Sequence, residues 1–262
     1  KISFQDIVSI PKLVKDFLNH NIEGFEENTF SLSHFEKMIH EKQSSFTSGQ
    51  REILVAALEK QLSDLTLSPK QKQNIESLRH TKTFTITTGH QLNLFSGPVF
   101  FVYKILQTVK TCSFLKDSFP EFNFVPVYWM ASEDHDFAEI NHFKTENNYY
   151  EINEKSGGAV GRIPLSDTFF ISEFEKEFKD FVFGTELILM LKEAYKAGNT
   201  LTQAIQILVN RLFSEFGLLI LDGDSRELKT QMKETFKDEL LNFSLYKESK
   251  EKIDFLTEKY GK

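Results

Sequence analysis

One strand-like segment limits the possible folds of this chain more than any other part of the sequence. The stretch FNFVPVYWM, Phe122 to Met130, is apolar on both sides of its two-residue alternation, apart from Asn123. Alternate residues of a strand point to opposite faces of a sheet, so both faces of this strand must be covered. Such strands are typical of parallel sheets with helices on both faces, and the segment therefore predicts an α/β fold.

The preceding residues complete a strand–helix–strand unit. TFTITT, residues 83–88, alternates β-branched and aromatic residues and predicts a strand. Ser96, Gly97 and Pro98 predict the start of a helix, because Ser can cap free amides and Pro is tolerated in the first turn. We expect the two strands to be parallel, with a right-handed connection. The predicted buried stripe of the helix is Val99, Val102, Leu106 and Val109.

A third buried strand is predicted at LLILD, residues 218–222, after a helix that Gly217 is placed to cap. Asp224 and Glu227 have the spacing of a capping box for the next helix. Three parallel strands with connecting helices make about half of a doubly wound sheet, so we predict a Rossmann-like α/β domain with a partial parallel sheet. The apolar stripe of the helix before the third strand is Leu201, Ile205, Leu208 and Leu212.

The rest of the chain divides into helical and inserted segments. Helical spacing in residues 53–62, and Pro69 as a helix start, predict helices joined by polar loops in the first eighty residues. YYEIN and AVGRIPL, on either side of Gly157 and Gly158, predict a hairpin outside the sheet, followed by two charged helices. The predicted segments are an N-terminal helical segment packed on the core (1–82), the first part of the Rossmann-like core (83–146), the inserted hairpin and helices (147–199), the core helix and third strand (200–225), and the start of a helical connective segment (226–262).

Composition argues against several classes of protein. The formal net charge of −7, without a basic stripe, argues against a nucleic-acid binder. Charged residues interrupt the apolar positions near the N-terminus and no apolar run has the length of a membrane span, which predicts a cytoplasmic protein without membrane contact. The single cysteine, Cys112, cannot form an internal disulfide, and its apolar helical surroundings predict a buried structural thiol.

Polar residues cluster at the predicted carboxyl ends of the strands, where open α/β sheets bind ligands. A helix N-terminus and two glycines after the first strand favour an anion such as phosphate or carboxylate. The alternative is that Gly89 serves only as a turn and that His90 is a solvated loop residue. Neither a GxGxxG nor a Walker lysine motif is present. The polar and glycine residues after the first strand are Gly89, His90, Gln91, Asn93, Ser96 and Gly97.

A denser cluster follows the second strand. Repulsion and partial burial should move the pKa values of its ionisable groups apart and suit them to acid–base catalysis. One alternative is a solvated acidic turn. Another is a metal site for hydrolysis made of His135, Glu139 and His142, although their spacing matches no fixed metal motif and we assign no metal. The ionisable residues are Glu133, Asp134, His135 and Asp136, with Trp129 before them, His142 after them and Asp222 at the end of the third strand.

Three motifs, in this order, resemble the cysteine ligases of bacillithiol biosynthesis, often called cysteine-adding enzymes. They are TTGHQLNLFSGPVFFVYK, PVYWMASEDHDFAEINHF and FGLLILDGDSRELK. The resemblance covers the whole chain, more loosely in the first eighty residues and in the insertion. It implies a Rossmann-like core with connective segments and a coiled-coil arm, in a protein longer than this chain. We therefore expect the chain to be truncated after Lys262 and inactive alone.

The resemblance also implies a reaction. It is the joining of L-cysteine to the glucosamine amine of glucosaminyl malate through an amide bond, and the likeness of the core to class I aminoacyl-tRNA synthetases suggests activation of the carboxylate by ATP. A homodimer formed through the arm is also implied. The alternative functions are a metal-assisted hydrolase and a non-catalytic α/β binding module.

Residue by residue, the resemblance assigns the cluster after the first strand to the phosphate- or carboxylate-binding end of the site and the acidic cluster to its other wall. Many relatives have Gln where this chain has His90, which favours a hydrogen-bonding role for His90. We expect Asp134 or His135 to accept the proton of the incoming amine, oriented by Asp136 or Glu133. Lys104 matches a family lysine, with a structural ion pair as the alternative. The remaining expected substrate-binding residues are Ser96, Trp129, His142 and Asp222.

Overall fold

The computed structural model describes residues 2–26, 31–155 and 157–261. The chain forms two compact units, Thr47–Lys229 and Lys1–Phe46 with Thr230–Lys262. The strands are β1 (Thr83–His90), β2 (Asn123–Met130), β3 (His142–Lys144), β4 (Tyr149–Glu151) and β5 (Leu219–Asp222). The helices are α1 (Lys12–Leu18), α2 (Leu32–Ser45), α3 (Ser48–Gln61), α4 (Pro69–Ser77), α5 (Phe100–Ser118), α6 (Phe137–Ile140), α7 (Phe169–Phe178), α8 (Gly184–Ala194), α9 (Leu201–Phe213), α10 (Arg226–Thr230), α11 (Lys233–Asn242) and α12 (Ser244–Tyr260).

A three-stranded parallel sheet in the order β1–β2–β5 lies at the centre of the larger unit. β1 pairs with β2 from Thr83 opposite Asn123 to His90 opposite Met130, and β5 pairs with the last four residues of β2. Five consecutive residues of β2 are buried, as its apolar sequence requires. The predicted α/β class and parallel sheet are confirmed, with β1 extending two residues beyond its predicted end at Thr88.

The helix between β1 and β2 begins later than predicted. α5 starts at Phe100, and Val99 occupies its N-cap without a side-chain hydrogen bond. Ser96 instead closes a short 3-10 turn, Leu94–Ser96, so the prediction that Ser96 caps the helix is wrong. Phe95, Ser96 and Gly97 all have positive φ, so the chain forms an additional turn before the helix starts.

The buried face of α5 also differs from the predicted stripe. Val99 and Leu106 are exposed, and Val102 and Val109 are only partly buried. The first turn is apolar on nearly all sides, so periodicity alone could not choose the face. Cys112 is buried as predicted, and this burial raises the pKa of its thiol to about 12. The residues that α5 buries are Phe101, Ile105, Thr108, Cys112 and Leu115.

Helices α3, α4 and α9 contact β5. Pro69 is the first residue of α4, as predicted, and a capping box of Ser68 and Gln71 precedes its first full turn. The Gln71 side chain, which is fully buried, donates to the carbonyl oxygen of Leu218 at 2.7 Å and thereby ties α4 to β5. Gly217, with φ of 76°, ends the 3-10 turn that follows α9, whereas the C-cap of α9 itself is Ser214. The predicted cap therefore ends the 3-10 extension of the helix and not α9 directly.

Arg51 of α3 joins the helical layer to the start of the sheet. Its guanidinium, in a residue only 3% exposed, donates from Nη1 to the carbonyl oxygens of Leu78 and Thr83, each at 3.0 Å. Burial lowers the pKa of Arg51. The planar guanidinium of Arg51 thus binds the carbonyl oxygens of the C-cap residue of α4, Leu78, and of the first residue of β1, Thr83.

The inserted hairpin pairs differently from the prediction. Tyr149–Glu151 forms β4, but its antiparallel partner is β3, with Phe143 opposite Tyr150. The predicted partner, AVGRIPL, contains instead the 3-10 turn Val160–Arg162, and Pro164 bridges to Thr200. The pairing with AVGRIPL was therefore wrong. No strand of the described part of residues 147–199 joins the three-stranded sheet, as predicted.

Local contacts explain the observed hairpin. The rings of Phe143 and Tyr150 stack with centroids 4.7 Å apart. Glu177 of α7 accepts hydrogen bonds from Thr145, Asn148 and the Tyr150 hydroxyl. The short turn between β3 and β4 is therefore held by one carboxylate from the insertion, which also contains the two predicted helices, α7 and α8.

The smaller unit is helical. It contains α1, α2, α11 and α12. The Tyr260 hydroxyl of α12 donates to Asp16 of α1 at 3.0 Å, and Lys259 donates to the carbonyl oxygen of Asn21 at 3.2 Å. Within the described ranges, no helix combines the length and the apolar content that crossing a membrane requires.

Replacing Arg51 by Lys should destabilise the larger unit. A single ammonium cannot reproduce the planar fork that serves Leu78 and Thr83, so we expect a loss of about 2 kcal/mol in the free energy of unfolding. Urea denaturation measures this loss. Arg211→Lys, at an exposed position of α9, is the matched control and should change stability by less than about 0.5 kcal/mol. Equal effects of the two substitutions would contradict the assigned role.

Candidate active site

Three loops leave the sheet at the same level. His90 is the register partner of Met130, and Met130 is the register partner of Asp222, so the three strands end side by side. The loops that follow β1, β2 and β5 therefore start along one edge, where open parallel sheets bind ligands. Together these loops, residues 89–99, 129–142 and 222–229, form the rim of the sheet.

Gln91 connects the first loop to the second. Its side-chain nitrogen donates to Asp134 Oδ2 at 2.9 Å and to Glu139 Oε2 at 2.8 Å. Two segments that lie more than forty residues apart in sequence thus meet directly. The structure brings together Gln91 and Asp134, which the sequence analysis had placed on opposite walls of one site.

Ser132 connects the second loop to the third. Its hydroxyl hydrogen-bonds to the Asp222 carboxylate, and the Asp224 amide donates to both of these side chains, at 3.1 Å to Ser132 and at 2.9 Å to Asp222. Gly161 packs so closely on Ser132 that a Cβ at this glycine would lie 2.6 Å from the Ser132 Cβ. Asp222 is therefore a structural acceptor of the rim as well as a candidate ligand contact.

Asp224 is a residue that sequence reasoning assigned to a helix cap. Instead, the Ser225 hydroxyl accepts the Leu228 amide at the start of α10, and Asp224 forms ion pairs with Arg162 and Lys229. Burial raises the pKa of Asp224, but the hydrogen bonds from these two cations outweigh burial and leave the pKa below its usual value. The capping box of Asp224 and Glu227 was wrong because an ion pair from a distant segment competes for Asp224.

Hydrogen bonds order the acidic turn after β2. Asp134 Oδ1 accepts the amides of His135 at 2.7 Å and of Asp136 at 3.3 Å. The Gln91 hydrogen bond is the main reason that the pKa of Asp134 lies below its usual value, so this side chain is a carboxylate at neutral pH. Asp136 caps α6 by accepting the Glu139 amide at 3.2 Å. The turn therefore has a conformation defined by hydrogen bonds and is not a loose acidic loop.

His135 and Glu133 project from this turn into solvent. The His135 side chain is 89% exposed, and its Nδ1 lies 3.7 Å from Asp134 Oδ1. Glu133 is also exposed, and its carboxylate lies next to the Trp129 indole at Gly223. The imidazole is thus the one group of the turn that combines access to a ligand with an adjacent carboxylate.

His90 is not a solvated loop residue. It ends β1, and its ring stacks on Phe101 at 5.2 Å and packs against Phe100 at 5.5 Å. Burial, and secondly the charge of Lys104, lowers the pKa of His90 and keeps the imidazole neutral at pH 7. Its Nε2 is buried without a hydrogen-bond partner. Lys104 donates to the Gly89 carbonyl oxygen, a structural contact different from the ion pair that was the alternative for this lysine.

The loop between β1 and α5 is held in an unusual conformation. Phe95, Ser96 and Gly97 have φ of 47°, 66° and 61°. A Cβ at Gly97 would lie 2.6 Å from the Asn93 Cβ, so only glycine fits there. Non-glycine residues in this region cost free energy and persist only where contacts enforce them. The Asn93 Oδ1 is buried without a partner, which leaves an acceptor for a ligand in this loop.

Tyr195 supplies the enforcing contact. Its hydroxyl, in a fully buried residue, accepts the Phe95 amide at 2.7 Å. The Phe95 ring packs edge-to-face on Phe174 at 5.1 Å, and the Gly97 amide donates to the Leu94 carbonyl oxygen. The amides of Phe95 and Gly97 therefore already have hydrogen-bond partners within the chain. An anion would have to bind at the start of α5, which follows them.

Residues 1–261 match the protein family described as "Bacillithiol biosynthesis BshC, N-terminal Rossmann-like domain". The chain belongs to this BshC family. Membership confirms the resemblance of the three motifs and agrees with the partial parallel sheet. The BshC-family match includes the whole rim.

Several curated relatives carry the name "Putative cysteine ligase BshC". The chain is 42% identical over 256 residues to the protein of Flavobacterium psychrophilum, which covers 96% of this chain and 48% of the relative. It is 40% identical over 260 residues to that of Flavobacterium johnsoniae, which covers 98% and 49%. It is 35% identical over 262 residues to that of Christiangramia forsetii, which covers 96% and 48%. The chain spans about half the length of these curated relatives.

The contacts of Glu139 and His142 do not support the alternative of a metal site made of His135, Glu139 and His142. Glu139 accepts a hydrogen bond from Gln91, while the His142 ring stacks on Tyr149 at 5.3 Å. Across residues 2–26, 31–155 and 157–261, no three or more His, Cys, Asp and Glu side chains are grouped as metal ligands. His142 therefore belongs to the hairpin, and in the described part of the chain His135, Glu139 and His142 are not grouped as metal ligands.

Sequence reasoning missed Ser132, Arg162 and Tyr195. All three act through hydrogen bonds or ion pairs to segments at least sixty residues away. Ser132 stood beside the acidic cluster and could have been included on that ground. Nothing in the local pattern around Arg162 or Tyr195 indicated their partners.

Replacing Tyr195 by Phe should destabilise the strained loop. The substitution leaves the buried Phe95 amide without an acceptor, and we expect it to cost about 1–3 kcal/mol in the free energy of unfolding. Urea denaturation measures the cost. Tyr103→Phe, on the exposed side of α5, is the control and should be nearly neutral. A Tyr195→Phe protein as stable as the control would show that the hydroxyl does not hold the loop.

His90 should make stability depend on pH. Its pKa is lower in the folded chain than in the unfolded chain, so the unfolded chain binds the proton first as the pH falls through about 6.5. The stability present above that pH is then lost on acidification. Urea denaturation should therefore show a smaller loss for His90→Gln than for the native chain between about pH 7.5 and pH 5. Parallel pH curves for the two proteins would contradict this assignment.

Proposed function

We propose that this chain carries part of the catalytic site of a ligase that adds L-cysteine to the glucosamine amine of glucosaminyl malate. Family membership and the names of the relatives support a cysteine ligase of bacillithiol biosynthesis. The observation that carries the site is the pair of hydrogen bonds from Gln91 to Asp134 and Glu139. Those bonds join an anion-binding loop to a loop that holds an exposed imidazole.

Forming an amide from a carboxylate and an amine has two chemical requirements. One carboxylate oxygen of cysteine must become a leaving group, and the attacking amine must be neutral and lose a proton. ATP would supply the activation: the carboxylate oxygen would bond to a phosphorus atom as a phosphoanhydride P–O bond breaks and the rest of the nucleotide, or pyrophosphate, leaves. The C–N bond then forms as the activated C–O bond breaks, and the amine proton passes to a base.

We assign the base to His135. Its imidazole is exposed at the rim, and the Asp134 carboxylate 3.7 Å away stabilises the imidazolium that forms. Asp134 itself is a poor base, because the hydrogen bond from Gln91 already favours its ionised form. Of the two bases expected from the sequence, the geometry thus favours His135, with Asp134 as its orienting partner and Asp136 as the cap of α6.

We assign the activated carboxylate, or a phosphate, to the β1 side of the rim. The buried His90 Nε2 has no partner and can donate a hydrogen bond when it carries the proton, and Lys104 adds a positive charge at the Gly89 carbonyl oxygen. The buried Asn93 Oδ1 is an acceptor, so it suits a donor group of the ligand and not the anion itself. The first turn of α5 adds the positive end of a helix dipole. The His90 imidazole, the Lys104 charge and the start of α5 suit one phosphate or carboxylate, so they fit a part of ATP or of cysteine. His90 acts there as a neutral hydrogen-bonding group.

The remaining expectations concern the whole protein. We propose cytoplasmic small-molecule chemistry without nucleic acid, and a homodimer formed through a coiled-coil arm outside this chain. Because the chain spans about half the length of its relatives, we expect turnover only in a longer form that includes this chain. A non-catalytic binding module is the competing possibility, and it would bind these substrates without converting them.

Mass spectrometry of that full-length protein with glucosaminyl malate, cysteine and ATP tests the reaction. We expect a product with the summed mass of the two substrates less one water, and its formation should require the nucleotide. Loss of malate or of another fragment would indicate a hydrolase. Binding without any new mass would indicate the binding module.

Replacing His135 by Ala should lower kcat by about 10²–10⁴-fold, the usual contribution of a general base. Because His135 is exposed, the fold should be retained, which circular dichroism can confirm. Glu146→Gln, in the exposed turn between β3 and β4, is the control and should leave kcat unchanged. Unchanged turnover in the His135→Ala protein would reject the assignment.

A further inference from the structure

Trp129 interrupts the buried strand β2. It is the only tryptophan of the chain, and it is 41% exposed, whereas its neighbours Tyr128 and Met130 are fully buried. An indole that faces water forgoes a large gain in hydrophobic free energy. Its position at the rim therefore suggests that a ligand covers it.

Two glycines leave room on both sides of this indole. On β1, the register partner of Trp129 is Gly89, where a Cβ would meet nothing closer than the Trp129 carbonyl oxygen at 3.8 Å. Beyond β5, a Cβ at Gly223 would lie 2.9 Å from Trp129 Nε1 and would overlap the Glu133 carboxylate. Gly223 thus lets the indole and a carboxylate approach each other, and Gly89 keeps the β1 side open.

We propose that the Trp129 indole is the platform for the ring of an amino sugar, with Glu133 accepting hydrogen bonds from its ammonium or hydroxyl groups. The proposal rests on the function proposed above, since it assigns the amino-sugar substrate of that same site. The face of an indole attracts a cation, and an adjacent carboxylate strengthens the attraction. The C–H face of a sugar ring supplies the apolar contact that an exposed indole lacks.

Charge distinguishes an amino sugar from a nucleobase as the occupant. Glu133, Asp134 and Asp136 give this part of the rim negative charge, which repels the phosphates of a nucleotide. Two cations close to the third loop, Arg162 of the 3-10 turn Val160–Arg162 and Lys229 of α10, are both paired with Asp224. The same negative charge attracts the ammonium form of glucosamine.

Fluorescence of the 262-residue chain tests the proposal, because all tryptophan emission comes from Trp129. We expect a saturable change in emission with glucosamine and with glucosaminyl malate, weaker binding of glucose and no change with malate. A change with adenosine and none with the amino sugars would overturn the proposal. Emission typical of a buried indole that responds to none of these compounds would also overturn it, since the indole would then be covered by protein.

Calorimetry of substituted chains provides an independent readout. Trp129→Ala should raise the Kd for glucosamine about tenfold, a factor within the range of cation–π interactions, while Trp129→Phe should change it less than about threefold. Glu133→Gln should reduce the preference for glucosamine over glucose, and Glu146→Gln should leave it unchanged. An equal preference in the Glu133→Gln and native chains would contradict the role of Glu133.

These measurements report binding alone. Failure to form the ligation product in the mass-spectrometric experiment would leave amino-sugar binding by Trp129 intact. Conversely, ligation by a protein whose Trp129 binds no amino sugar would reject only the platform. The two proposals can therefore fail separately.

Discussion

The aligned pairing of β2 with both of its neighbours is the constraint on which the rest of the structure depends. Because β2 is apolar on both faces, it is stable only as a central strand covered on both sides. Parallel pairing in this register ends β1, β2 and β5 at His90, Met130 and Asp222, side by side. Loops that are far apart in sequence therefore start at the same edge of the sheet. This alignment of the strand ends brings the polar groups of the rim next to one another.

Hydrogen bonds within the rim separate the acidic groups that are committed to structural contacts from those that stay exposed. Asp222 and Asp224 are committed to Ser132 and to two cations, and Asp136 caps a helix. Asp134 is kept ionised by donors from both sides. The exposed groups that remain are an imidazole, a carboxylate and an indole, which suit proton transfer and the binding of a cationic ring.

The sequence predicted the elements better than their partners. The strands at residues 83–88 and 218–222 were recognisable because β-branched and apolar runs have few other stable arrangements. The buried face of α5 could not be recognised, because the first turn of this helix is apolar on nearly all sides. The hairpin was paired wrongly, because alternating apolar and polar residues indicate a strand but not which strand it pairs with. The meeting of Gln91 with Asp134 followed from topology, whereas the Tyr195 contact with Phe95 depends on packing that no local pattern encodes.

The convergence of the first two loops is the central claim, and the pKa of Asp134 tests it most directly. The Gln91 hydrogen bond is the largest of the causes that lower this pKa, ahead of the amides of His135 and Asp136, so its share of the effect exists only if the two loops touch. Carboxyl NMR titration should find the pKa of Asp134 below its usual value in the native chain and higher in a Gln91→Leu chain. The same pKa in both proteins would show that the loop after β1 does not contact the loop after β2, and the account of the site would fail.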